Sequence, residues 1–415
     1  MVKLQISEAA EKLDVSVDTI RRWEKKGLIK SQRNSANYRE FDFEEINRLY
    51  RKLNGEPSGY RYTILKNPVS KFTAVDLFAG AGGTALGLEN AGFRHLAVNE
   101  IDKWAADTLR VNRPHWNVIE GDIHEISFPD LEGKVNLVEG GFPCQAFSYA
   151  GNKLGFADTR GTLFHEFARI VSELRPEIAM GENVRGLVNH DGGRTLKTML
   201  KQLQDIGYRV AYKMIRAQYL DVPQKRERLI IIAVRNDLDY PILFPKEKDY
   251  TVSLKDSISD VPEGPGMVYN EWKFKIMDKV PEGGNWRDLK DEDQRAYMKA
   301  SYYLGGGKTG LARRLSWDEP SLTLTCNPAQ KQTERCHPSK TRPLNVREYA
   351  RIQSFPDEWT FQGSVSQQYK QIGNAVPVNL AFHVGTGLRA MLEGKTLDTH
   401  EEQKAVPALQ EADLI

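Results

Sequence analysis

Cysteine is scarce in this chain of 415 residues, which holds three: Cys144, Cys326 and Cys336. An odd number cannot all pair, and so small a set points to a reducing cytosol. Cys326, Cys336 and His337 contain no tight C-x-x-C pair. They fall short of a structural zinc site, and no metal is expected. Also missing is any run of about 18 apolar residues, so no membrane span is expected. The opening "MVKLQISEAAEKL" lacks the apolar stretch of a secretory signal. Net charge is nearly absent too, at +2, too little by itself to announce a partner for polyanions. Its distribution says more: residues 1–72 hold 15 Lys/Arg against 10 Asp/Glu, and residues 301–345 hold 7 against 3. Two basic segments in a near-neutral chain suggest local contact with polyanions, although a solvated surface produces such imbalances as well.

What is present is length enough for two or three domains and a sizeable core. "ISEAAEKLDV" puts Ile6, Ala9, Ala10 and Leu13 on one helical face. "SVDTIRRWEKKG" follows, with Ser16 as N-cap and Gly27 as stop. A turn, a short extended piece and a further helix opened by Asp42 with Glu45 complete the segment. Two short helices at a turn, the second bearing Arg21, Arg22, Lys25 and Lys26, form a helix-turn-helix pattern; the alternative is a small helical bundle with solvated basic residues. "LNGEPSGYRYTILKNPVS" is rich in turn formers and reads as a linker.

Beyond it, strand-like stretches ("TAVDLFA", "LAVNE", "NLVEGG", "EIAMGEN") alternate with helix-like ones, the rhythm of a doubly wound α/β sheet. From about residue 243 to 341 the rhythm stops in a loop-rich insert with "GGG" at 305–307. "NVREYARIQSF" and "VPVNLAFHVGTGLRAML" then return to helical periodicity, and the polar residues from about Glu393 read as a mobile tail.

The chemistry-bearing residues fall at strand ends. "DLFAGAGG" joins a buried strand to a helix start, where glycines let backbone N–H groups approach a ligand. About 20 residues on, Glu100 ends the next strand, placed for the hydroxyls of a ribose, and Asp122 follows the third, placed for an adenine edge. Together they describe an adenosine site, most simply for S-adenosylmethionine. Cys144 sits after a proline in "GGFPCQAFSYAG", at the same carboxyl-end edge. Glu182 in "GENVRG" closes a later strand, and Arg226 and Arg228 in "PQKRERLIIIAV" open another. A thiolate, a carboxylic acid and an arginine converging on one pocket suit nucleophilic catalysis on a heterocycle. Spacing alone leaves open a buried thiol, a capping glutamate and salt-bridged surface arginines.

"DLFAGAGG", "GGFPCQAFSYAG", "ENVRG", "PQKRERLIIIAV", "RPLNVREYARIQSFPD" and "QIGNAVPVN" stand in an order that resembles the DNA (cytosine-5)-methyltransferases of restriction-modification systems. The resemblance covers roughly residues 72–392. "TIRRWEKKGLIKSQRNSANYREF" resembles the winged-helix domain of MerR-type regulators, without the long dimerising helix that would follow. These resemblances imply a helix-turn-helix domain at 1–52, a linker at 53–70 and a catalytic domain at 71–242. A target recognition domain at 243–341, a return to the catalytic domain at 342–392 and a mobile tail at 393–415 complete the chain. They imply that Cys144 attacks C6 of a cytosine flipped out of double-stranded DNA, while Glu182 holds N3 and the exocyclic amine. Arg228 would bind the O2 side with Arg226 in support. Phe78, Gly80, Gly82, Glu100, Ile101, Asp122, Ile123, Pro143, Leu163, Asn374 and Val376 would hold S-adenosylmethionine. Ile101 departs from the tryptophan often found there, which implies weaker stacking. Ser148 and Arg160 would contact phosphates from a loop hinged at Gly151 and Gly155. Arg21, Arg22 and Lys25 would bind DNA, with the promoter of the chain's own operon as one target, and a monomer is the default. The rivals are methylation of tRNA, a regulator whose methyltransferase half only binds ligand, and a thiol oxidoreductase, for which Cys144 lacks a partner cysteine.

Overall fold

The computed structural model describes residues 3–25, 29, 31–34, 37–54, 63–142, 162–303 and 309–414. They divide into two compact units, one running from the N-terminus through residue 62 together with residues 255–259, the other holding the rest.

In the first unit β1 (Lys3–Gln5) leads into α1 (Ile6–Lys12) and α2 (Val17–Lys25), followed by β2 (Ser31–Arg33), β3 (Arg39–Asp42) and α3 (Phe43–Leu53). The three strands pair antiparallel in the order β1-β3-β2. Ala9, Ala10, Leu13, Ile20, Phe41 and Ile46 form the core, so the helical stripe foreseen on α1 is the buried one. Ser16 Oγ accepts from Thr19 N at 3.2 Å and Asp42 Oδ1 from Glu45 N at 3.3 Å, each satisfying a donor that a helix start leaves unpaired. Arg21, Arg22 and Lys25 are exposed on α2.

The second unit is built on a seven-stranded sheet. Its strands are β4 (Thr73–Leu77), β5 (Arg94–Glu100), β6 (Val118–Glu120), β7 (Leu137–Gly140), β8 (Ile178–Val184), β9 (Tyr208–Arg216) and β11 (Glu227–Arg235), with the short β10 (Gln224–Lys225) before the last. The order is β6-β5-β4-β7-β8-β11-β9. The first five run parallel, and β11 is antiparallel to both of its neighbours. The alternation of motifs thus builds the α/β sheet, with a mixed edge that strand–helix rhythm does not announce.

Both faces are covered, so the strands are apolar on both sides. Ala74, Leu137, Met180, Ile230 and Ile232 face α4 (Gly83–Ala91) and the helix Val378–Leu392. Val75, Leu77, Val138, Ala179 and Ile231 face the helices Leu163–Leu174 and Arg194–Asp205. α4 meets the last helix through Gly87, where a Cβ would collide with Ala381. Among the described residues no helix is long and apolar enough to cross a membrane.

Three boundaries differ from expectation. The tail after residue 393 is bound: β14 (His400–Glu402) pairs antiparallel with β12 (Leu243–Pro245), and Val406 N donates to Val210 O at 2.8 Å. Val406 and Leu409 pack on the core. The physical reason is the edge strand β9, whose unpaired backbone groups take up a passing segment that brings two apolar side chains. The linker also ends early, since Asn67 N donates to Asn90 O and Ser70 N to Gly92 O, at 2.7 and 2.8 Å, and Leu65 packs on the core. The insert begins later than 243, because Leu243 and Phe244 belong to the main core. Its own core comprises Ile276, Met277, Val280, Trp286, Leu289, Tyr297, Met298, Leu311, Ala312 and Cys336. It returns through β13 (Ser321–Leu322), which pairs with β10.

The turn between β9 and β10 is fixed by Asp221, a left-handed residue at φ 57°. Its side chain is buried, and its carboxylate accepts from His383 Nε2 at 2.8 Å, Lys248 Nζ and Tyr250 Oη. Burial alone would raise this carboxyl, but the bonds from His383, Lys248 and Tyr250 hold it well below the usual range. Asp221→Asn keeps the left-handed preference and removes the charge. We expect it to lower unfolding stability by about 2 kcal/mol at pH 7. A depressed folded pKa stabilises above the unfolded value near 3.9 and loses that contribution as pH falls through the folded one. The gap between wild type and variant in urea unfolding should therefore shrink below about pH 4.

Candidate active site

The site starts from the turn after β4. Phe78, Gly80 and Gly82 adopt φ of 61°, 55° and 87°, left-handed values that cost a phenylalanine and suit the glycines. A Cβ on Gly80 would meet nothing within 4 Å, so the backbone there borders open space. Glu100, the last residue of β5, braces the turn: Oε2 accepts from Gly80 N at 2.6 Å and Oε1 from Asp102 N at 2.7 Å. Burial pushes this carboxyl above its usual range, and the two N–H donors oppose the shift. Ile101 beside it is 65% exposed.

Asp122 is half exposed and caps a short turn, accepting from His124 N at 3.0 Å and facing His124 Nδ1 at 2.7 Å. Ile123 is buried. Leu163 opens its helix behind Thr162, whose Oγ1 accepts from His165 N at 3.2 Å. Val376 is buried and shares a hollow with Thr84, Met180, Glu182, Ile230 and Leu380. Asn374 is exposed and accepts from Cys326 Sγ at 2.9 Å.

Glu182 and Arg228 form an ion pair, Nε to Oε1 at 2.6 Å, with side chains 12% and 11% exposed. Both project from the face that carries Met180 and Ile230, as strand alternation requires. A Cβ on Gly141 would lie 3.4 Å from Glu182 Oε2. Asn183 Nδ2 donates to Phe142 O at 2.8 Å, inside the protein. The chain leaving β7 therefore passes directly beside Glu182. Pro143, Cys144, Ser148, Gly151, Gly155 and Arg160 lie outside the described residues.

Arg226 does not join Arg228. It is fully buried, and its guanidinium donates to Leu324 O at 3.3 Å and to Gly373 O at 3.2 and 3.3 Å. The expected reach into the pocket assumed an unbroken strand, in which residues two apart share a face. Instead Arg226 N bonds to Gln224 O at 2.9 Å, an i→i+2 turn that breaks the alternation.

Sequence reasoning missed the buried amides around it. Gln353 Nε2 donates to Ile372 O and Ala375 O at 2.7 and 3.1 Å, and Gln224 Nε2 to Gln353 Oε1 at 2.9 Å. It also missed Asp76 and Glu139, which lie opposite each other on β4 and β7 and are 0% and 1% exposed. An acid inside an otherwise apolar strand was the available signal.

Comparison with known proteins follows the same outline. Residues 72–389 match the family model described as C-5 cytosine-specific DNA methylase. Residues 5–41 match that of the MerR family regulatory proteins. The chain is 53% identical to the Type II methyltransferase M.Eco47II of Escherichia coli, over 94% of this chain and 96% of that protein. It is 56% identical to the Type II methyltransferase M.PspPI of a Psychrobacter species, over 80% and 83%. A solved DNMT2 structure from Spodoptera frugiperda shares the fold, with a TM-score of 0.58 at 17% identity over 77% of this chain and 99% of that one.

The clamp at Arg226 is testable without any ligand. Arg226→Ala leaves two buried carbonyls without donors and opens a cavity, and is expected to cost about 3 kcal/mol or more in urea unfolding. A variant as stable as wild type would show that the guanidinium holds nothing together.

Proposed function

We propose that this chain, which belongs to the C-5 cytosine-specific DNA methylases and acts as a DNA cytosine-5 methyltransferase with S-adenosylmethionine, works through a covalent intermediate on Cys144. The observation that carries this reading is the Glu182–Arg228 pair, set beside the Gly141 backbone that leads to Cys144. Cytosine C5 is a poor nucleophile while the ring is aromatic. Attack of the Cys144 thiolate on C6 forms a C–S bond and moves the 5,6 electron pair to C5. Glu182 would offset the negative charge that builds on the ring by sharing a proton with N3 while accepting from the exocyclic amine. Arg228 already takes its Oε1, which leaves Oε2 for the base edge, and would itself bind the O2 side. Loss of the C5 proton and expulsion of the thiolate restore the ring. Arg226 acts as a positioning residue, holding the turn before Asn374 against the segment that returns from the insert.

The other end of the edge fits S-adenosylmethionine. Open space over Gly80, N–H groups at the start of α4 and the buried carboxylate of Glu100 suit a nucleoside with polar hydroxyls. Phe78, Gly82, Ile101, Asp122, Ile123, Leu163, Asn374 and Val376 would complete the pocket with Pro143. The cofactor, when bound, supplies an electrophilic methyl group. Ser148 and Arg160 would contact phosphates, and the insert would read the sequence in the major groove. The Type II relatives support protection of host DNA within a restriction-modification system as the role. The exposed Arg21, Arg22 and Lys25 favour a second activity of the first unit, binding of promoter DNA.

Labelled methyl from S-adenosylmethionine should enter unmethylated DNA and not tRNA. Cys144→Ser should abolish transfer, and Glu182→Gln should slow it about 10²–10⁴-fold. Label in tRNA, or full activity of Cys144→Ser, would overturn the reading. For the second activity, footprinting of the whole protein on DNA upstream of its own gene should show a protected site lost in the Arg21→Ala, Arg22→Ala double variant.

A further inference from the structure

Asp76 and Glu139 are the two acids that the proposed chemistry leaves unused. They stand in register on adjacent parallel strands, both essentially without solvent. Neither Asp76 oxygen, nor Oε1 of Glu139, meets a hydrogen-bond donor of the rest of the protein. A buried carboxylate left so is costly, and two in register are not both ionised without a positive charge brought near them. The pair also lies between two further carboxylates. Glu100 on β5 acts on Asp76, and Glu182 on β8 acts on Glu139, each of them disfavouring ionisation. On β11, the cation Arg228 is taken by Glu182. Burial, joined by these like charges, pushes Asp76 up to about 7 and Glu139 well above its ordinary range.

The place of the pair decides what it could meet. Asp76 precedes by two residues the left-handed Phe78 that opens the glycine turn, and Glu139 precedes by two the Gly141 that borders Glu182. Both carboxyls therefore sit one strand-row beneath the edge where the cofactor and the target base are proposed to bind. We propose that Asp76 and Glu139 share one proton in the free protein, and that S-adenosylmethionine, by bringing a sulfonium and an ammonium group to this edge, drives that proton into solvent. The inference rests on the cofactor site proposed above. Its consequence is that cofactor affinity is linked to pH through this pair rather than through the nucleophile.

The sign follows from linkage. The free protein holds the proton and the complex does not, so affinity rises with pH for as long as the free pair keeps that proton. The test is calorimetric titration of the full-length protein with S-adenosylmethionine alone, at pH 7, in phosphate and in Tris, whose ionisation enthalpies differ widely. The binding enthalpy should differ between the buffers by an amount equal to release of about half to one proton. The dissociation constant should tighten between pH 6 and 7, by at most about tenfold, the limit for one linked proton. In Glu139→Gln the amide donates to Asp76, which ionises without a competitor, so release should vanish and the affinity become flat with pH. Equal enthalpies in the two buffers for wild type, a measurement that needs no variant to fold, would overturn the inference. So would undiminished release in a folded Glu139→Gln. Absence of any binding would instead remove the cofactor site itself, and this inference with it.

Discussion

The hydrogen bonds from the Arg226 guanidinium to Leu324 O and Gly373 O hold together parts of the chain that nothing covalent keeps near one another. One is the start of β11, which carries Arg228. Another is the segment that brings the chain back from the insert. The third is the turn that delivers Asn374 and Val376. Only a planar, always-charged fork can serve two carbonyls in different segments from inside a core. The tight approach it enforces is visible at Gly373, where a Cβ would collide with the Thr325 carbonyl. Gln353 adds bonds to Ile372 O and Ala375 O, and Gln224 donates to Gln353 Oε1. The insert can therefore vary in length and sequence while its return point stays fixed against the site.

Around that clamp, the sheet edge disposes of its negative charge in three different ways. Glu182 is neutralised by Arg228, Glu100 by two backbone N–H groups, and Asp76 with Glu139 by neither. The first two solutions leave a carboxylate ready for ligands of defined geometry. The third leaves a site whose charge depends on what arrives. Stability alone would replace such a pair with apolar residues, so its position under the site is the reason to look for a role there.

Much of this was legible in the sequence, for reasons that can be traced. The parallel strands announce themselves because each is short, apolar on both faces and followed by a helix start, and Glu100 and Glu182 are found at their ends. The helix-turn-helix pattern was legible from caps: Ser16 and Asp42 accept backbone N–H groups as their positions suggest. What stayed hidden depends on contacts remote in sequence. Arg226 and Arg228 differ by one bond, from Arg226 N to Gln224 O, and no periodicity reveals it. The tail looked free because its polarity is real, while β14 pairs with β12 and Val406 with Val210 of the edge strand β9, partners far back in the chain.

The antiparallel β11 has a consequence for the chemistry. A parallel strand would deliver its last residues to the carboxyl edge; β11 instead begins there, so its first residues, with Arg228 among them, meet Glu182 near the end of β8. A cation is thereby supplied from a strand start to an edge otherwise lined by acids at strand ends. The long insert follows β11 and would leave that end of the sheet unanchored. Pairing of β13 with β10 and the Arg226 clamp return it to the start of the same strand. One reversal of strand direction thus sets both the counter-charge for Glu182 and the point to which the insert must return.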